Sequence, residues 1–179
     1  MRDISYRVAL GGIVSALCLV VMFLAGVMPA FYLILPMIAG VLLMIIALEV
    51  NKGWALLTYV SVSLLSLFIT FDKEAALIFI MFFGHYPILR MLIQKIKTSF
   101  IRRIVKFVIF NVCVLAYFYT TVFLFGMDEV IDEFKELGKY GGYIILGLAN
   151  IVFLLYDVNL DFSYKLYKDR IMPKFRKKR

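Results

Sequence analysis

Histidine and cysteine are nearly absent from this sequence, and that scarcity removes several kinds of chemistry at once. The one histidine, His85, leaves no set of imidazoles for a multi-histidine metal site. The two cysteines, Cys18 and Cys113, sit in apolar stretches with no CxxC partner and no neighbouring histidine. They read as small hydrophobes, with neither metal nor disulfide spacing. HExxH, GxSxG, a P-loop and the Asp-rich motif for prenyl diphosphates are all missing. The carboxylates lack the clustered partners that general acid–base work requires. The chain therefore reads as a non-enzyme with no metal or other cofactor. Charge is scarce too, at 18% of residues, and nothing is left for a soluble domain once the apolar runs are set aside.

What is present is hydrocarbon. Of 179 residues, 64% are apolar or aromatic, with a mean hydropathy of +0.94. Lipid is the solvent such a surface requires, and the lipid bilayer is the first expected partner. The net charge of +8 lies beside apolar runs, where it sets topology and meets anionic headgroups, so nucleic acid is not expected as a partner. A spanning helix needs about 20 largely apolar residues. Segments 7–28, 30–49, 54–71, 75–93, 104–126 and 141–161 meet that need. The expected fold is all-α, a polytopic membrane protein with a single bundle of six transmembrane helices over residues 1–163 and a basic tail over 164–179. The first apolar run is too long for a signal-peptide core and has no A-x-A site after it, so it reads as a retained helix.

Charge then sets direction, because Lys and Arg near helix ends stay in the cytoplasm. Arg90, Lys95, Lys97, Arg102, Arg103 and Lys106 follow or flank the end of the fourth segment with no acid among them. The connection after the fifth segment carries five acids and two bases, and the chain from Asp157 carries eight Lys or Arg. Arg2 and Arg7 precede or open the first segment. One topology satisfies all four observations, with both termini in the cytoplasm. The acidic connection, residues 128–140, places Val130, Ile131, Phe134 and Leu137 on one side. It reads either as an amphipathic helix across the mouth or as a solvated loop. For the tail, headgroup binding is preferred over a dedicated protein site.

Ionisable and amide groups inside hydrocarbon cost several kcal/mol, so each is a default functional candidate. The intramembrane polar cluster comprises Glu49, His85, Arg90, Asn111 and Asp157. Asp157 and Glu49 are expected to pair with Arg90, Lys52 or Arg7, as structural ion pairs or as a proton or ion relay. Tyr143, Gly147, Asn150, Asp157 and Asp161 share one face of the last helix, which is expected to point inward. Gly84 and Pro87 flank His85 and predict a kink that frees backbone carbonyls. Tyr59, Ser63, Ser66 and Thr70 recur at helical spacing on the third segment. With Tyr32, a kink at Pro36, Tyr117, Thr120, Thr121 and Asn150, they are candidates for an outward-facing substrate pocket. The competing reading is that such hydroxyls bond their own backbone or a neighbouring helix. Ala9, Gly12 and Ala16 share a small-xxx-small face on the first helix, for packing inside the bundle or against another subunit.

This organisation resembles the substrate-binding S components of energy-coupling-factor transporters. In that family a small-xxx-small motif on the first helix docks onto a transmembrane coupling subunit driven by ATPases, and substrate is captured from outside beneath capping loops. The resemblance implies docking by Ala9, Gly12 and Ala16, and caps formed by Asp72 to Glu74 and by residues 128–139. It further implies uptake of a small molecule such as a vitamin or related nutrient. The stretch from Phe82 to Pro87 and the turn from Glu49 to Gly53 are also similar to those of small membrane proteins of Gram-positive bacteria, a likeness that carries no activity. One departure stands out. S components hold substrate in the outer half, whereas the strongest polar residues here lie in the inner half. The alternative is a non-catalytic membrane scaffold of an envelope-assembly complex.

Overall fold

The structure, a computed structural model, describes residues 4–124, 126 and 140–172. The amphipathic-helix expectation for residues 128–140, the cap expected over 128–139 and the tail cluster after Pro173 fall wholly or almost wholly outside the described residues. Among the described residues every element is helical. Six helices follow one another: α1 (Ile4–Val27), α2 (Ile34–Glu49), α3 (Lys52–Ile69), α4 (Lys73–Ile93), α5 (Ser99–Phe123) and α6 (Gly141–Arg170). Five of them are long and apolar enough to cross a membrane, and α2 is a shorter apolar helix.

Local chemistry sets the boundaries. Asn51 caps α3, its side-chain oxygen accepting from the Trp54 N–H at 2.8 Å, and Asp72 caps α4 by accepting from the Ala75 N–H at 3.1 Å. The Lys73 ammonium donates to the carbonyls of Leu67 and Thr70 at the end of α3, at 2.7 and 3.0 Å. It thereby satisfies carbonyls that have no partner in their own helix. Pro36 does not kink α2. It sits in the first turn of that helix, where its missing N–H costs no hydrogen bond. Helix α6 is continuous through residue 163.

The expected irregularity in α4 is present, and its cost is covered. Between Phe79 and Phe83 the helix widens by one residue per turn, so the Gly84 N–H bonds the Phe79 carbonyl at 2.8 Å and bypasses that of Ile80. The Tyr59 hydroxyl of α3 donates to the Ile80 carbonyl at 2.6 Å. Pro87 cannot donate to the Phe83 carbonyl one turn back, and there the Tyr156 hydroxyl of α6 donates at 3.3 Å. Two orphan acceptors thus find two tyrosines on different helices, as low-dielectric surroundings demand. Tyr59 of α3 thus helps hold the irregular turn of α4.

Small residues make these approaches feasible. A Cβ on Gly84 would lie 2.6 Å from two ring carbons of Tyr59. One on Gly40 of α2 would lie 2.6 Å from the Tyr156 hydroxyl and closer still to the Phe83 carbonyl oxygen. Helices α1, α2 and α3 pack mutually, and α2 also meets α4. Within the most apolar stretch of α4, 61% of residues are buried, against 17% in those of α5 and α6, so α4 is central and the last two helices are peripheral. Outward surfaces are apolar, with Phe68, Phe71, Tyr143 and Leu155 all largely exposed. An aromatic layer closes the middle: the Phe110 and Phe153 rings stack at 4.6 Å and 11°, with Phe82 edge-on to both.

Candidate functional site

Toward the end of the bundle that holds Arg7, Glu49, Lys52 and Lys97, the polar residues converge on Asp157. One carboxylate oxygen accepts from the Tyr86 hydroxyl at 2.8 Å and from Arg90 Nε at 2.6 Å, and the other accepts from Lys106 Nζ at 2.6 Å. The second arm of the Arg90 fork reaches Asp161 at 2.7 Å. Two cations and two carboxylates balance. Arg90, with only 4% of its side chain exposed, is held by charge-assisted bonds on both sides. Tyr86 and Arg90 lie one turn apart on α4, Lys106 is on α5, and Asp157 and Asp161 are on α6, so the cluster ties three helices together.

The pairing of Asp157 with Arg90 follows the sequence expectation; Lys106 and Tyr86 are additions to it. Lys106 lies within an apolar segment, and that placement was the signal available in the sequence. Glu49 is bonded elsewhere, accepting from the Tyr167 hydroxyl at 2.7 Å and joining the ends of α2 and α6. His85 stands apart from the charges. Its ring lies 5.8 Å from that of Tyr59, and its Nε2 lies 3.9 Å from the Cys113 sulfur. Asn111 and Asn150 exchange side-chain bonds at 3.2 and 3.3 Å, and each also donates to the carbonyl one turn back. This reciprocal clamp links α5 to α6.

The inward face of α6 differs from the expected one. Phe153, Tyr156 and Leu160 are buried, whereas Tyr143 and Gly147 are exposed and Asp161 is largely so. Large aromatic side chains take the interior, and the polar stripe is displaced to its rim, where Asp157 and Asn150 still reach partners. On α3 the hydroxyls divide: some bond their own backbone, whereas those of Ser63 and Thr70 are buried without a hydrogen-bond partner among the described residues. The Ser66 hydroxyl donates to the Ser63 carbonyl and the Thr58 hydroxyl to that of Trp54, both at 2.9 Å. Ser63, Ser66 and Thr70 are buried, and Thr120 is half-buried in the wide last turn of α5.

A cavity of about 580 Å³ opens in the half of the bundle away from the charge cluster. Of the residues expected in a pocket, Tyr32 and Tyr117 line it; Tyr59, Ser63, Ser66, Thr70, Thr120 and Asn150 do not. Its walls come from α4 (Ile78, Met81, Phe82), α5 (Phe110, Cys113, Val114, Tyr117) and α6 (Ile145, Leu148, Ala149, Phe153). Asp72 and Glu74 stand at the α4 entrance. The volume lies within the roughly 300–1,000 Å³ of small-molecule sites, and an apolar wall with few polar groups is their usual character. The aromatic layer that floors it separates it from Asp157.

The small residues of α1 divide. Val14, Cys18 and Met22 face the core, Gly11 lies 3.9 Å by its built Cβ from the Thr58 hydroxyl, and Ala9, Gly12 and Ala16 are exposed with open space around Gly12. The fold and site define an all-helical bundle of long apolar helices, held by a buried ionic cluster and carrying a cavity sized for a small molecule. Comparison with protein-family models, with characterised proteins and with solved structures returns no match.

Proposed function

We propose that this chain is a multi-pass membrane subunit that binds a small molecule such as a vitamin or related nutrient for uptake, working with a separate ATP-driven coupling module. The observation that carries the reading is the cavity, apolar and of small-molecule size, set between α4, α5 and α6. The exposed Ala9, Gly12 and Ala16 face supports it, since a small-residue stripe free of intrachain packing lets a partner helix approach closely. The same stripe would serve a membrane scaffold of an envelope-assembly complex, but a scaffold has no use for the cavity. The saturated charge cluster favours a structural lock over a relay in either case.

The two readings separate on purification from the native host followed by native mass spectrometry. The expected result is co-purification with a transmembrane coupling subunit and an ATPase, abolished by Gly12→Leu with Ala16→Leu, together with a retained small molecule. Association with cell-wall or division proteins alone, with no small molecule, would sink the transport reading.

The proposed orientation has the Arg90 to Lys106 end in a bacterial cytoplasm and the cavity toward the exterior. In a background with Cys18→Ala and Cys113→Ala, Tyr140→Cys should react with a membrane-impermeant thiol reagent applied to intact cells, and Lys97→Cys should react only after lysis. Both positions are exposed, so accessibility within the chain does not confound the comparison. The opposite labelling pattern would invert the topology.

A further inference from the structure

Cations outnumber their partners at the end of the bundle that holds the Asp157 cluster. Residues 75–127 contain no Asp or Glu, and they supply Arg90, Lys95, Lys97, Arg102, Arg103 and Lys106. Arg90 and Lys106 are matched by Asp157 and Asp161 of α6. Lys95, Lys97, Arg102 and Arg103 form no ion pair among the described residues; Arg102 reaches the Ser99 hydroxyl, at 3.1 Å. Four unmatched cations thus lie within residues 95–103, and Lys95, Lys97 and Arg103 are exposed. Of the other carboxylates described at this end, Glu49 is bonded to Tyr167, and Asp169 lies between Lys168 and Arg170 in sequence. The field around the start of α5 therefore attracts anions and repels cations.

Beside these cations the surface of α5 is grooved. Phe100, Arg103, Ile104, Phe107 and Val108 bound a groove of about 350 Å³. The five positions share one face of the helix over eight residues, a length of about 12 Å. Phe107 is fixed there by the Phe153 ring of α6, edge-on at 5.3 Å and 75°, so one wall is rigid. Arg103 is the one polar side chain among the described residues of the groove. An apolar length with a guanidinium at one end matches a molecule with an anionic head and a hydrocarbon chain. Arg is well suited to the head, since its planar fork meets phosphate oxygens two at a time. A zwitterionic head brings an ammonium as well, which the unmatched cations oppose.

We infer that α5 carries a binding site for an anionic phospholipid, its phosphate on Arg103 in the field of Lys97 and Arg102 and one acyl chain in the groove of Phe100, Ile104, Phe107 and Val108. This goes beyond the transport reading and does not depend on what the cavity holds. It rests on the apolar helices lying in a bilayer.

The test uses the full chain, purified in a neutral detergent, stripped of lipid and titrated with dioleoyl phosphatidylglycerol or dioleoyl phosphatidylcholine. Native mass spectrometry counts the bound lipid. Phosphatidylglycerol is expected to bind about tenfold more tightly than phosphatidylcholine. Arg102→Gln with Arg103→Gln is expected to erase that preference. Lys165→Gln with Lys168→Gln removes the same charge from α6 at the same end of the bundle and is expected to leave the preference in place. Val108→Trp, or Ile104→Trp should the first fail to fold, fills the groove and is expected to weaken phosphatidylglycerol binding with both arginines intact. Glycerol phosphate, a head without chains, is expected not to displace the bound lipid.

Equal affinities for the two lipids would overturn the anionic assignment. An equal loss of preference in the α5 and α6 charge variants would show diffuse surface charge and overturn the site on α5. Displacement by glycerol phosphate, or phosphatidylglycerol binding indifferent to the tryptophan variants, would overturn the seat for the acyl chain.

Discussion

Asp157→Asn is expected to lower the thermal unfolding midpoint of the protein in mild detergent by roughly 10 °C, corresponding to a loss of about 3–5 kcal/mol. The substitution keeps the shape of the side chain and removes its charge. Lys106, paired with Asp157 at 2.6 Å and 11% exposed at its side chain, loses that carboxylate, while Arg90 retains Asp161 at 2.7 Å. A buried charge left without a partner costs more than the intact pair contributes, and here three helices share the loss. In a Cys113→Ala background, Cys18, fully buried in α1, provides the readout through a thiol-reactive fluorophore that reports opening of the core.

The same physics predicts a rescue. Asp157→Asn combined with Lys106→Met removes both halves of the stranded pair and should recover most of the midpoint. Lys106→Met alone leaves Asp157 with Arg90 and Tyr86 and should cost less than Asp157→Asn. Strong non-additivity is the signature of direct coupling. If Asp157→Asn shifts the midpoint by under roughly 2 °C, the cluster does not hold the bundle together.

Gly40→Ala should be the next most damaging change, although it adds a single methyl group. That methyl would meet the Phe83 carbonyl and the Tyr156 hydroxyl, at the point where α2, α4 and α6 converge. Overpacking costs about 1–3 kcal/mol where side chains can give way, and more where they cannot. A backbone carbonyl in a helix is among the least yielding neighbours, so a loss at or above the top of that range is expected.

Comparison with Gly84→Ala isolates the cause. There the nearest obstruction is the Tyr59 ring, with the flexible tip of the Phe79 side chain next at 3.0 Å, so adding Tyr59→Ala should relieve most of the clash, at the cost of leaving the Ile80 carbonyl without its 2.6 Å donor. Adding Tyr156→Phe to Gly40→Ala should bring no such relief, because the Phe83 carbonyl remains. Gly147→Ala is the control, since nothing lies within 4 Å of its added methyl. It should be neutral or slightly stabilising through helix propensity. Unfolding midpoints in detergent decide among these outcomes, and a Gly40→Ala protein as stable as Gly147→Ala would refute the close-contact account.

The helices were legible because apolar length is a one-dimensional property. A run such as residues 7–28 is long and apolar enough to cross a membrane as a helix, and the structure places α1 there with ends shifted by only a few residues. The break in α4 was legible for a similar reason, since Gly84 and Pro87 act on their own backbone. The pairing of Asp157 with Arg90 followed from the scarcity of partners for a charge in an apolar segment. The pocket was the least legible element. Hydroxyl spacing on α3 suggested a polar lining, yet Ser66 bonds the Ser63 carbonyl, Tyr59 bonds the Ile80 carbonyl of α4, and the wall of the cavity is mainly aromatic and aliphatic.

The distinction has a physical basis. The sequence by itself determined helix number, helix type, the points of interruption and the segregation of charge between the two ends, because each depends on residues near one another in the chain. Tertiary structure alone decided which tyrosine serves which orphan carbonyl, which face of α6 is interior and that Lys106 completes the Asp157 cluster. It also decided that the cavity lies beside Asp72 and Glu74 and not beside the α3 hydroxyls. Those outcomes depend on helix rotation and on close approach at Gly40 and Gly84, which no periodicity along the chain encodes.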